Sequence, residues 1–209
     1  MKNAIKQTVC TALLALGCSF SAQALTLTFD DMSSTADAGN YGVVLQHSSD
    51  THFVVNTSSF IPAAGSGKLL AYYGLGTEKE TLSLLPSLNS VFSLTGLSLA
   101  GLLGDGGGQA ADNFSIRITG TRIDGTIVGG QEDFRLSPGA FTQYGSTSFS
   151  GFTGLKSVSF SGIGVNAARY VGVDNVSLTI TPVPEPETYA LLLAGLGLIA
   201  AVGRRRKAI

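Results

Sequence analysis

His47 and His52 are the only imidazoles in the 209-residue chain, five apart across Ser48-Ser49-Asp50-Thr51. Two such ligands can approach each other over a hairpin, but a zinc site takes three or four, so a solvated pair at a turn is the expectation. The carboxylates come as neighbours, Asp30-Asp31 and Glu132-Asp133. Adjacent residues on a strand point to opposite faces and cannot flank one scissile bond together; a glycosidase would need partners from distant strands. No Gly-x-Ser-x-Gly elbow, His-Glu-x-x-His helix or Cys-His pair occurs. No catalytic residue is therefore assigned, and a glycan-active hydrolase is the alternative reading. Gly104-Asp105-Gly106-Gly107-Gly108 leads into Gln109-Ala110-Ala111-Asp112 rather than the Gly-Lys-Ser/Thr of a phosphate cradle. It reads as a loop tip, with Asp105, Asp112 or Asn113 as hard oxygen ligands the second option. The Asn-x-Ser/Thr triplets at Asn56, Asn113 and Asn175 are given no role. With Trp absent, Tyr41, Tyr72, Tyr73, Tyr144 and Tyr170 are the side chains that could stack on a sugar ring.

Strands must position these groups. Leu25–Phe29, Phe114–Thr119 and Val158–Ser161 alternate apolar and polar residues, the period of a strand with one face buried. Nothing of similar length keeps a helical period. Asp124-Gly125 between two β-prone runs predicts a hairpin with a type I′ turn. In the last strand Val171 and Val173 share one parity while Val176, Leu178 and Ile180 share the other. One extra residue near Asp174-Asn175 restores a single buried face, so a β-bulge is predicted there. Many short strands joined by Gly-rich turns give an all-β body, a sandwich or barrel, over residues 25–181.

The two ends differ from this body. Residues 1–24 hold Lys2 and Lys6, an apolar run from Val9 to Gly17 and a small-residue stretch ending Ala22-Gln23-Ala24. That is the layout of a signal peptide cut after Ala24; a lipoprotein cut at Cys18 is disfavoured because Ala15 stands where Leu is wanted. Both cysteines, Cys10 and Cys18, fall in the removed segment, so neither a disulfide nor a thiolate metal site is expected in the mature chain. Residues 25–181 carry seven Lys and Arg against twelve Asp and Glu. An acidic body without a basic cluster is not built to neutralise phosphates, so nucleic acid is excluded as a partner.

At the other end Pro182, Pro184 and Pro186 interrupt regular structure, and the fold is expected to close near Thr181. Thr188 to Gly203 is uncharged and mostly apolar, sixteen residues. As a helix it reaches about 24 Å against a hydrocarbon core of about 30 Å, so 188–203 is read as a barely spanning transmembrane segment. Arg204-Arg205-Arg206-Lys207 is the topology signal that keeps this end cytoplasmic. Val183-Pro184-Glu185-Pro186, the apolar segment and the basic cluster together resemble the PEP-CTERM sorting signal of Gram-negative bacteria. The resemblance implies processing by signal peptidase and by an exosortase, transient anchoring in the inner membrane, and transfer to the cell surface or extracellular matrix. It also implies association with exopolysaccharide and biofilm.

The body has a looser likeness. Phe152–Phe160 followed by Tyr170–Val176 resembles the closing strands of jelly-roll domains found in surface proteins and carbohydrate-binding modules. In such modules a carboxylate near the last strand and one near the first often share a structural calcium. The resemblance therefore implies a Ca2+ site at Asp174 with Asp30 or Asp31; the competing account has Asp174 and Asn175 satisfying backbone groups at the bulge.

Overall fold

The computed structural model describes residues 21–49, 52–60, 67–73, 78–101, 115–136, 139–163, 170–184 and 186–205. Eleven described strands form one antiparallel sheet folded into two layers. The first layer runs β2 (Val43–His47), β5 (Lys79–Leu84), β10 (Leu155–Ile163), β7 (Ser115–Arg122) and β8 (Ile127–Arg135). The second runs β3 (His52–Asn56), β4 (Lys68–Tyr73), β11 (Tyr170–Pro182), β6 (Ser90–Gly101) and β9 (Thr142–Tyr144). β1 (Gln23–Leu27) pairs with β11 along residues 176–180, below β4 on the same edge. A single pairing, Leu155 with Phe92, joins the layers at a corner. The body is thus all-β, as its alternating pattern requires.

Alternation also builds the core. Leu82 and Leu84, Ile116 and Ile118, and Val158 and Phe160 point inward from the first layer. Leu94, Val171, Val173, Val176 and Leu178 meet them from the second. A smaller cluster, Leu69, Ala71 and Ala100 with Phe53, Val55 and Phe141, is buried on the other side of the second layer.

The predicted bulge is present. Asp174 pairs with Ser98 but Ser177 with Gly96, one residue too many on β11, and Asn175 takes up the slack at φ +51°. The Asp124-Gly125 hairpin is present too, but its turn is not type I′. Of the two central residues, only Gly125 has positive φ, +83°, while Asp124 Oδ1 accepts the Thr126 N–H. Gly125 N–H donates to the Arg122 carbonyl and Arg122 N–H to Thr126, which is a three-residue loop closed by a left-handed glycine.

β11 ends at Pro182, next to the expected boundary, and a helix follows from Pro186 to Arg205. Its described side chains, residues 190–199, are all exposed, Leu191 at 73% and Leu198 at 71%. Among the described residues no helix is long and apolar enough to cross a membrane. The transmembrane segment expected at 188–203 is therefore corrected: its sixteen uncharged residues supply only about 24 Å of the 20-residue helix against a hydrocarbon core of about 30 Å, and Gly195 and Gly197 dilute it. β1 begins at Gln23, so the expected cut after Ala24 would remove two exposed strand residues and leave Leu25–Leu27 paired.

Residues 1–20 of the leader, the Gly104–Gly108 loop with Asp105, Asp112 and Asn113, and Glu185, Arg206 and Lys207 lie outside the described residues.

Candidate functional site

The histidines do meet, but not across a solvated hairpin. β2 and β3 belong to opposite layers, and their ends place the two rings 6.0 Å apart between the layers. The His47 side chain is 0% exposed and that of His52 13%. The reason is parity: Val43, Leu45 and His47 share the inward face of β2.

Glu80 is the residue that the sequence reading missed. It is the cross-strand partner of His47 and shares the inward face of β5 with Leu82 and Leu84, so its carboxyl is buried outright. His52 Nδ1 lies 2.9 and 3.1 Å from its two oxygens. Burial pushes the carboxyl up to about 8, which keeps it a neutral acid at neutral pH. The other ring nitrogen of His52, Nε2, is 3.2 Å from Thr35 Oγ1. Thr35 sits on a 3-10 helix (Thr35–Tyr41) whose start is pinned by Asp37, which accepts from the Ser33 hydroxyl and the Ser33 and Ser34 N–H groups. These bonds, the Ser33 hydroxyl first, hold Asp37 below the usual carboxylate range. Around His47, Ser49 contacts Nδ1 while its hydroxyl donates to Glu78, whose Oε2 is 3.7 Å from His47 Nε2.

A cavity of about 480 Å³ opens beside this cluster, walled by Gln46, His47, Ser48, His52, Lys79 and Thr81. The arrangement can share a proton between the layers and offers polar groups at one end of the sandwich. Among the described residues no group of three or more His, Cys, Asp or Glu is placed to hold a metal ion.

Asp30 lies near enough to Asp174 for its charge to act on that carboxyl. Phe29, buried at φ +61°, turns the chain out of β1 and delivers Asp30 to the bulge. Asp30 Oδ1 accepts the Lys68 N–H, and Asp174 accepts both nitrogens of Asn175. Burial first, then the Asp30 charge, lifts Asp174 to about 6. The pair suits a cation in charge, yet two engaged carboxylates supply only part of the six to eight oxygens of a calcium shell. No function is routed through calcium on this donor set.

A second groove, about 430 Å³, lies over β7 and β8 against Ser148, Ser150 and Phe152. It exists because Gly129 and Gly130, at φ +76° and +80°, bulge β8 away from β7. Of the five tyrosines, Tyr41 is exposed, while Tyr144 donates to the Arg135 carbonyl and packs edge-on to Phe134. The side chains of Tyr72, Tyr73 and Tyr170 lie outside what is described.

Fold and ends together define a class: an all-β sandwich whose last strand hands over to a separate, exposed apolar helix. Residues 182–207 match the PEP-CTERM protein-sorting motif, so the chain carries the signal of an exported, exosortase-sorted protein. No curated protein sequence matches the chain. Among solved structures it is similar to a CBM29-2 variant (TM-score 0.46, 8% identity, covering 78% of this chain and 94% of that one). It is also similar to the CBM22-1 xylan-binding domain of Paenibacillus barcinonensis Xyn10C (0.43, 11%, 80% and 100%). A third is the Stig cyclase FisC of Fischerella sp. TAU (0.41, 14%, 78% and 100%).

Proposed function

We propose that this protein is a structural, glycan-associated component of the cell surface or extracellular matrix. Signal peptidase releases the leader, and the apolar helix lodges transiently in the inner membrane with Arg204–Lys207 on the cytoplasmic side. An apolar stretch shorter than the bilayer core is accommodated by local thinning and by flanking side chains that reach the interface, which suits a temporary hold. Exosortase then acts near Pro184-Glu185-Pro186 and passes the body on to an exopolysaccharide-containing layer. The observation that carries this reading is the matched tail itself, separate from the core and presenting only exposed side chains over residues 190–199.

A second reading, a glycan-active enzyme, is favoured by one arrangement: hydroxyl, imidazole and carboxyl follow one another through Thr35, His52 and Glu80. Two features weigh against it. Backbone N–H groups beside Thr35, where an oxyanion would need donors, are occupied by the Asp37 carboxylate. Glu80, raised to about 8, is an uncharged acid that would not steady an imidazolium. The chain therefore reads as a clip between the layers.

Replacing Pro184, Glu185 and Pro186 together by alanine is expected to leave most of the protein in the membrane fraction with its basic end intact. Immunoblotting of membrane and released fractions from the native host checks this. Release equal to that of the unaltered chain would remove exosortase processing from the proposal.

A further inference from the structure

The outward side chains of the first layer fall into register. β10 contributes Ser157, Ser159 and Ser161, flanked across the ladder by Ser83, Thr81 and Lys79 of β5 and by Thr121, Thr119 and Arg117 of β7. β2 extends the first two rows with Val44 and Gln46. None of these side chains is fully buried, while the residues between them, such as Leu82, Val158, Phe160 and Ile118, are. The result is a grid of short hydroxyls, with strands about 4.8 Å apart and rows about 6.6 Å apart. Within it Thr81 Oγ1 and Ser159 Oγ are already 3.1 Å apart.

A hydroxyl has one donor and two acceptor positions; one donor is used within the Thr81–Ser159 pair and that of Ser161 on the Arg117 carbonyl, which leaves acceptor positions throughout, and short side chains lose little rotamer freedom when something docks on them. Apart from Val44 at its edge, the grid has no aromatic or aliphatic anchor of the kind that dominates protein interfaces. It suits a ligand that is itself a regular array of hydroxyls. Its third row runs Lys79–Ser161–Arg117 and on to Asp133 of β8, so the row's net positive charge falls at its Lys79 end, on an otherwise acidic body. Topology leaves this face accessible: the leader and the sorting tail both emerge from the second layer, where Gln23 pairs with Ile180.

We propose that the hydroxyl grid on the outer face of the first layer is the docking surface for an extended, carboxylate-bearing polysaccharide lying across the strands. This rests on the glycan-associated reading above and gives it a place and a ligand chemistry. Neutral hydroxyls set the register through hydrogen bonds, and Lys79 selects acidic sugars.

The test uses the full chain in mild detergent, run by affinity electrophoresis in gels containing polygalacturonate or a neutral β-glucan. The unaltered chain is expected to be retarded more by polygalacturonate. The triple variant Thr81→Val, Ser159→Ala and Thr119→Val keeps strand-compatible shapes but deletes three hydroxyls. Its affinity should fall at least about ten-fold, because hydrogen bonds to the ligand are lost at three positions at once. Lys79→Glu, a single change at an exposed position that does not depend on the triple variant folding, should weaken binding to polygalacturonate alone. Binding unchanged in both variants would overturn the assignment to this face while leaving glycan association standing. An unaltered chain that neither polymer retards would remove glycan association itself, and the grid with it.

Discussion

Gly129→Ala is expected to destabilise the sandwich by about 3–4 kcal/mol, combining left-handed strain of roughly 1–2 kcal/mol with overpacking of similar or larger size. At this position φ is +76°, and an added Cβ would stand 2.3 Å from Phe152 Cζ and 2.7 Å from the Ile118 carbonyl oxygen. Neither can yield easily. Phe152 packs edge-on to Phe149 with 5.5 Å between ring centres, and Ile118 is in the core ladder. Gly125→Ala is the control: its φ is also positive, +83°, but nothing lies within 4 Å of the new carbon. It should cost about 1–2 kcal/mol, from strain alone. Thermal unfolding of the two variants separates the causes, and equal losses would mean that the close approach of Phe152 is not what demands glycine.

The second large effect concerns pH. Glu80 titrates near 8 in the fold against 4.5 as an ordinary carboxyl, so the folded chain holds the proton more tightly than the unfolded one. Its contribution to stability is full below about 4.5 and is lost as pH rises toward 8. Over that window the loss is at most about 5 kcal/mol at 1.36 kcal/mol per unit, and less to the extent that His52 shares the proton. Asp174, raised from 3.8 to about 6, acts with the same sign but in a lower window. Urea unfolding between pH 6.5 and 8 therefore separates Glu80 from Asp174. Stability should fall across this interval in the unaltered chain and change much less in Glu80→Gln, which keeps both histidines. A slope that survives in Glu80→Gln would assign it elsewhere.

Much of this fold was legible because strand alternation is a local property. The parity switch between Val173 and Val176 marked the bulge before any pairing was known, since two registers of apolar residues cannot face one core without an extra residue. The same rule would have found the buried cluster had it been applied at two more places. Val43, Leu45 and His47 share a parity, as do Glu80, Leu82 and Leu84, so a polar residue in each series was already in a core-facing phase. What no local pattern gives is that β2 and β3 lie in different layers, or that His52 reaches Glu80 from across the core. The hydroxyl grid was hidden for a related reason: Ser159 is ordinary until the ladder sets it between Thr81 and Thr119. The turn at Asp124-Gly125 went the other way. The dipeptide located the hairpin, but the extra residue in the loop, not the dipeptide, decided its geometry. The sorting motif was legible because its three parts are contiguous and are read by machinery, not by packing.

The central claim is that the apolar tail is an address separate from the fold, removed once the body is delivered. Intact-mass and C-terminal peptide analysis of the protein recovered from the native cell surface tests it most directly. The account predicts a chain that begins near Leu25 and ends close to the Pro184–Pro186 region, without the helix or its basic cluster. Surface protein that still carries Arg204 through Ile209 would contradict it.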